Sequence, residues 1–329
     1  MEHIALKEEM HGTFLYGGER GDVDTSRAVR DSNYREADIG FVPRWMAALS
    51  LPCRDEPGRT RWTRCSEDGV LVIQSGIDAT GHVTAGTSGR RAPELRFVGI
   101  PYGSIPRLIL VWMTTEALRT QSREIALGRT SGQLLRKLGI RCVSGGVNGT
   151  VTTVKRQLHR LINSQIRVRS KCGQDVSFSL ISETNYSVAR WATRTTSTDR
   201  RLLEPRITLS ESFYQSLREG VIQVDLGSLH SLTHSPLAMD LYCLSKLRTE
   251  ELRRSESDAV EMSWASLQEQ MGSQSRRSKF VENVSRLLPR VNSVIRGLGV
   301  TAVAVADGLR IVQGPAASEE ALAETALTI

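Results

Sequence analysis

The stretch VNGTVTTVKRQLHRLINSQIRVRS (147–170) changes its period halfway along. Val151, Val154, Leu158, Leu161 and Ile162 recur at i, i+3, i+7, i+10 and i+11, which is one face of a helix. Thr152, Thr153, Arg156, His159, Arg160 and Asn163 fall elsewhere, mostly on the opposite side. From Gln165 the period drops to two: Ile166 and Val168 point one way, Arg167 and Arg169 the other. A helix feeding a strand, each basic on the side that is not apolar, is what the rest of the chain has to accommodate.

Upstream, SGGVNG (144–149) reads as a glycine-rich turn. Before it, Thr130 with Gln133 forms a capping-box pattern for a helix through Leu138, ended by Gly139. REIALG (123–128) reads as a short strand. IPYGSIPRLILVWMTTEALRTQ (100–121) reads as a helix with Ser104 as N-cap and Pro106 in its first turn. Its broad apolar face runs through Ile105, Leu108, Ile109, Trp112, Met113 and Leu118. Downstream, Lys171–Gln174 reads as a turn and VSFSLI (176–181) as a return strand. Helix, strand, helix, turn, helix and hairpin is the layout of a winged helix-turn-helix. In that layout the second helix of the turn enters the major groove and the hairpin follows the backbone. Asn148, Thr150, Thr152, Thr153, Lys155, Arg156, His159 and Arg160 are therefore expected on the DNA side of the reading helix, with Arg167, Arg169 and Lys171 on the wing. Thr, Asn and Arg can read base edges, and wing Arg and Lys meet phosphates. His159 reads either as a DNA contact or as a plain exposed polar residue.

The pattern recurs. SPLAMDLYCLSKLR (235–248) starts with Ser as N-cap and Pro at N1. TEELRRSESDAVE (249–261) reads as an acidic, solvated linker, and SWASLQEQMG (263–272) as a short helix ended by glycine. RRSKFVENVSRLLPRV (276–291) reads as an amphipathic helix. It turns Phe280, Val284, Leu287, Leu288 and Val291 inward and Arg276, Arg277, Lys279, Asn283, Arg286 and Arg290 outward. VTAVAV (300–305) and LRIVQ (309–313) read as a hairpin turning at Asp307-Gly308. Arg276, Arg277, Lys279, Asn283 and Arg286 are the second set of expected DNA contacts.

The expected fold class is α+β: two tandem winged-helix domains with a largely disordered N-terminal extension. Residues 1–40, rich in Gly, Asp and Arg, form the extension. Residues 41–230 form the first domain, with MAALSL (46–51) and GVLVIQSG (69–76) as leading strands and a loop over ATGHVTAGTSGRRAP. Residues 231–315 form the second domain. Residues 316–329 are a flexible tail, either a frayed end or a partner peptide.

Charge supports a polyanionic partner. Residues 1–100 carry 13 Lys/Arg and 15 Asp/Glu, residues 101–206 carry 18 and 6, and residues 207–329 carry 12 and 15. The middle third, at +12, thus holds the whole excess of a chain whose net charge is +7. The rest of the composition is ordinary: 40% hydrophobic and 24% charged. Five cysteines without a C-x-x-C argue against a disulfide framework or zinc ribbon and fit reduced thiols in a cytoplasm. No secretory signal or transmembrane segment is legible. No G-x-x-x-x-G-K-[ST], G-x-S-x-G or H-x-H cluster occurs, so a non-enzymatic protein without cofactor or metal is expected. His230 and His234, four apart, share a helix face at best and lack a third ligand.

IPYGSIPRLILVWMTTEALRTQSREIALGRTSGQLLRKLGI (100–140) resembles the plasmid-encoded RepA replication initiators of Gram-negative bacteria. Their motif runs roughly PYG-x-x-PR-L-x-L-x-W-x-x-TEA-x-RT-x-SR-x-x-x-LG. Pro101, Tyr102, Gly103, Pro106, Arg107, Leu108, Leu110, Trp112, Thr115, Glu116, Ala117, Arg119, Thr120, Ser122, Arg123, Leu127 and Gly128 match it. A looser likeness extends over about 45–315. The resemblance implies binding to direct repeats (iterons) in double-stranded origin DNA, opening of the adjacent AT-rich DNA, and recruitment of the host initiator and replicative helicase. It also implies autorepression and a monomer–dimer equilibrium. The rival from the residues alone is a winged-helix transcriptional regulator with no replication role. Within the motif, Arg107, Arg119 and Arg123 are open to either of two roles: contacting phosphate, or packing and pairing with Glu116 and Glu124.

Overall fold

The change of period at 163–165 marks a true element boundary in the computed structural model, which describes residues 38–78, 96–141, 144–146, 149–170, 175–184, 204–255 and 257–314. In chain order the first elements are β1 (Ile39–Pro43), α1 (Arg44–Ala48), β2 (Arg61–Ser66), β3 (Gly69–Gln74), β4 (Ile77–Asp78), β5 (Arg96–Phe97), α2 (Ser104–Thr120), β6 (Glu124–Ala126) and α3 (Ser131–Lys137). Next come α4 (Thr150–Ile162), β7 (Gln165–Ser170), β8 (Asp175–Ser179), β9 (Ile181–Thr184), β10 (Arg206–Leu209), α5 (Glu211–Glu219), β11 (Val221–Asp225) and α6 (Leu226–Ser231). The last are α7 (Pro236–Ser255), β12 (Ala259–Ser263), α8 (Trp264–Met271), α9 (Arg277–Ile295), β13 (Val300–Val305) and β14 (Gly308–Gln313).

Two units repeat the order helix, strand, helix, helix, hairpin. The first is α2–β6–α3–α4–β7–β8 and the second α7–β12–α8–α9–β13–β14. In the second, β12 pairs antiparallel with β14, which pairs with β13, closing a three-stranded sheet of order β12-β14-β13. The first unit is wired differently. Its hairpin β7–β8 is extended by β3 and β2 into a four-stranded sheet of order β2-β3-β7-β8. Its strand β6 instead pairs with β10, in a separate sheet of order β6-β10-β9.

α2 is apolar almost all round, with Leu108, Ile109, Leu110, Val111, Trp112, Met113 and Ala117 buried, so it is a central helix rather than a surface one. α3 carries the expected capping box: Thr130 Oγ1 accepts from the Gln133 N–H at 3.2 Å, and the Gln133 side chain accepts from the Thr130 N–H. α7 starts at Pro236, with the Ser235 hydroxyl accepting from the Ala238 N–H.

The two units share one continuous hydrophobic core, and charged groups span their junction. Arg107 on α2, 2% exposed, forks onto Asp240 of α7, with Nε–Oδ1 at 2.7 Å and Nη2–Oδ2 at 2.6 Å. It also donates to the carbonyls of Leu51 and Gly103 at 2.6 Å each. Burial works against its charge, but the Asp240 carboxylate outweighs it and holds the guanidinium above its usual value. Arg248 meets Asp68 at 2.7 Å, Arg44 meets Glu250 at 3.3 Å, and Gln270 Nε2 donates to the Ala48 carbonyl at 2.6 Å. Arg64 reaches the C-terminus of α8, donating to the Gly272 carbonyl at 2.9 Å while its guanidinium lies 3.3 Å from the Trp62 ring centre. Burial lowers its pKa to about 10. Gly272 sits at φ +62°, which favours glycine, and a Cβ there would displace the Arg64 guanidinium.

Several expectations are corrected. MAALSL is not a strand: Arg44–Ala48 is a short helix with Trp45, Met46, Ala47 and Ala48 buried, and a short, wholly apolar run has no period to read. The segment 249–261 is not a linker. α7 continues to Ser255, β12 begins at Ala259, and Glu250 and Glu251 pair with Arg44 at the junction. Ser104 is the first helical residue rather than the cap. Gly103 precedes it at φ +82°, which favours glycine. The last hairpin turns at Ala306-Asp307, because Gly308 already pairs with Val305 and with Ser263. Gly308 is there for close approach, since a Cβ would sit 2.0 Å from the Met262 carbonyl oxygen. The expected extension lies almost entirely outside the described residues, as do the tail, the loop after β4 and the turn at 171–174.

Candidate nucleic-acid interface

The start of α4 is fixed by the turn before it. The Thr150 N–H donates to Ser144 Oγ at 3.0 Å, and Thr152 Oγ1 donates to the Gly146 carbonyl at 2.7 Å. Gly149 fits only as glycine, because a Cβ would lie 2.4 Å from the Gly145 oxygen. Val154, Gln157, Leu158 and Leu161 face the core. Thr150, Thr152, Thr153, Lys155 and His159 are half-buried, and Arg156 is exposed. Burial lowers the pKa of Lys155. Among the described residues no hydrogen bond or ion pair holds the Arg156 side chain, so it is the guanidinium that α4 offers outward.

Arg160 is used internally. Its Nη1 contacts Asp55 at 2.8 Å and donates to the Ile100 carbonyl at 3.0 Å, and the guanidinium stacks 5.0 Å from the Tyr102 ring centre. It braces the end of α4 against the segments on either side of the β-ribbon, a role its helix position alone does not reveal. Asn148 and Lys171 lie outside the described residues.

On the wing, Arg167 and Arg169 stand on the open face of the four-stranded sheet, 58% and 59% exposed. Ile166, Val168 and Phe178 face inward. Both arginines share Asp175 on β8: Arg167 as a two-pronged fork at 2.7 Å on each oxygen, Arg169 at 2.9 Å. These hydrogen bonds, from Arg167 first and Arg169 second, pull the Asp175 carboxyl down to about 2. The carboxylate orients the two guanidiniums and cancels one of their charges.

In the second unit α9 buries Phe280, Val284, Leu288, Val291 and Ile295 and runs through Pro289 on its exposed side. Arg276, Arg277, Lys279 and Arg286 are exposed, and Asn283 is half-buried. Lys279 pairs with Glu282 at 2.8 Å, Arg286 donates to Asn283 Oδ1 at 3.1 Å, and Arg277 donates to Gln268 Oε1 at 3.2 Å. Arg276 has no side-chain partner among the described residues. The second wing is nearly neutral, since its arginine, Arg310, bonds Glu261 at 2.6 Å.

Each motif arginine has a partner other than Glu116 and Glu124. Arg107 is buried on Asp240, Arg119 donates to the Ile39 carbonyl at 2.6 Å, and Arg123 pairs with Glu211 at 3.3 Å. His230 and His234 do not share a helix face: α6 ends at Ser231 and His234 sits in the following turn. Among the described residues no three or more His, Cys, Asp or Glu are grouped to hold a metal, and no helix is long and apolar enough to cross a membrane. Sequence reasoning missed Arg129, Arg136 and Arg141. All three are exposed around α3 without a side-chain hydrogen bond or ion pair among the described residues. They flank or occupy α3, and the run RKLGIR (136–141) shows two of them in the sequence.

The sequence matches the family of plasmid-encoded RepA proteins over residues 100–266. No curated protein matches it. Two crystal structures of domains 2 and 3 of RctB align with the chain. A selenomethionine derivative is 12% identical, with 83% of this chain and 98% of that one covered at a TM-score of 0.46. The other is 11% identical, with 84% and 99% covered at a TM-score of 0.44. The family match runs from the residue before the PYG motif, through the whole of α4 and its hairpin, and into α8, just over half of the chain. The chain belongs to the family of plasmid-encoded RepA proteins.

Proposed function

We propose that this protein is a plasmid replication initiator that binds repeated sequences (iterons) in double-stranded origin DNA through two winged-helix units. One observation carries the proposal: a member of the RepA family holds two units of the same element order, each turning a basic third helix outward. Arg156, with Thr150, Thr152, Thr153, Lys155 and His159 beside it, reads bases from α4. Arg276, Arg277, Lys279, Asn283 and Arg286 form the corresponding set on α9. Arg167 and Arg169 on the first wing hold the backbone. With about 6 to 10 phosphate contacts, binding weakens steeply with salt, at a log–log slope of about −5 to −9.

The protein acts by binding and not by bond-making chemistry, without metal or cofactor. Opening of adjacent AT-rich DNA, recruitment of the host initiator and replicative helicase, autorepression, a monomer–dimer equilibrium and a cytoplasmic location belong to the same proposal, which membership of the family supports. The test is a plasmid carrying only this gene and its flanking DNA, introduced into a host that supplies the replicative helicase. Autonomous replication, lost on Arg156→Ala, is expected. Repression of the gene's own promoter with no replication in any host would instead make the protein a transcriptional regulator.

A further inference from the structure

α3 turns one face to solvent, and on it Gly132 and Arg136 lie one turn apart, followed by Gly139, Ile140 and Arg141 around the helix end. These five residues line one open groove. Its two arginines are exposed and carry no hydrogen bond or ion pair among the described residues, in contrast to Arg107, Arg123, Arg160, Arg167 and Arg169. Gly132 leaves the floor bare. Gly139 sits at φ +67°, which favours glycine, and a Cβ there would displace the ring of His230 on α6, 2.3 Å away. That contact puts α6 against the end of α3. At its other end, the Ser231 carbonyl accepts a hydrogen bond from Arg290 of α9. α6 therefore joins the turn region of the first unit to the third helix of the second, with the groove beside it. Burial, and then the charge of Arg141, hold His230 below its usual pKa.

We propose that this groove seats backbone phosphate of the duplex, with Arg136 and Arg141 as paired contacts on the stretch of DNA between the two reading helices. The inference rests on the DNA-binding reading above and adds a site to it. Two cations line one concavity, and Gly132 leaves it open, since a Cβ there would meet nothing closer than Thr130 Oγ1 at 3.9 Å. Arg136 lies on the helix that crosses the backbone when the third helix is in the groove, and Arg141 lies just past its end. Neither arginine is needed for folding, since each is exposed and makes no internal bond.

The test compares Arg136→Ala/Arg141→Ala with the wild type, in the full chain, on the duplex flanking the gene and on an unrelated duplex of equal length. Affinity is measured from low to moderate salt. The double variant should lower the log–log salt slope by about 1.8, as two lost phosphate contacts require, and weaken both duplexes by the same factor. Arg136→Lys/Arg141→Lys should restore most of the slope, and thermal melting should be unchanged. An unaltered slope, or a loss confined to the flanking duplex, overturns the proposal. A wild type that binds neither duplex in a salt-sensitive way defeats the DNA-binding reading itself, and is told apart by failing before any substitution is made.

Discussion

The two helix–hairpin units share an order of elements and use charge in opposite ways. In the first, cations face solvent on three elements: Arg136 on α3, Arg156 on α4, and Arg167 and Arg169 on the wing. In the second they stand on α9 and its approach and at the end of α7, where Arg253 and Arg254 are exposed, and Arg310 of the hairpin is paired with Glu261. The acidic surplus of the second half is drawn to the junction, where Asp240 meets Arg107 and Glu250 and Glu251 meet Arg44. The +12 of residues 101–206 thus belongs to a unit with cations facing solvent, and three anions of residues 207–329, Asp240, Glu250 and Glu251, pair with arginines across the junction. A repeat of topology is no repeat of electrostatics, and on the proposed reading the contacts to the DNA backbone belong mainly to the first unit.

The largest effect should come from the junction. Asp240→Ala leaves Arg107 buried and unpaired, and should cost about 3 to 5 kcal/mol in a denaturant titration. A cost near zero would mean that the shared apolar core alone holds the units together. Next, Arg156→Ala should lose about 1 to 3 kcal/mol on the cognate site and relax preference at one base pair, read by binding to a panel of single-base variants. Arg160→Ala should instead lower stability by about 1 to 3 kcal/mol, because it removes charged hydrogen bonds to Asp55. If it alters base preference while leaving stability intact, the division between outward and inward arginines on α4 is wrong.

A smaller effect tests the wings. Arg167→Ala should reduce the salt slope by about 0.9, whereas Arg310→Ala should leave it unchanged. Asp175→Asn should steepen the slope and raise affinity for unrelated DNA, since it frees both wing guanidiniums from a carboxylate that otherwise stays ionised down to about pH 2. Equal responses at Arg167 and Arg310 would erase the contrast between the two units.

Much of the first unit was legible because each element carried its own local signal. The capping box at Thr130, the heptad-like apolar face of α4 and the strict alternation of Ile166 to Arg169 each show in the structure where the sequence puts them. What escaped was non-local. Nothing near GVLVIQ says that β3 will dock on β7, and nothing near Asp240 names Arg107, 133 residues away, as its partner. The elements β10, α5 and β11, all between 206 and 225, were passed over as well. β12 was hidden because AVEMS is short and half polar, yet it makes the second unit's order match the first's more closely than the sequence suggested. At the site, exposure was read correctly for Arg156 and wrongly for Arg160. One helix position gives direction, but only the neighbouring chain at Asp55 and Tyr102 decides whether a guanidinium there is already engaged.

The most direct measurement is a footprint of the purified protein on the DNA flanking its own gene at two salt concentrations. Two winged-helix units engaging one face of each repeat predict protection of consecutive major grooves, about one helical turn apart, recurring at regular intervals and fading sharply at the higher salt. Protection of a single groove per repeat, or a footprint indifferent to salt, would contradict the claim that both units hold the same DNA.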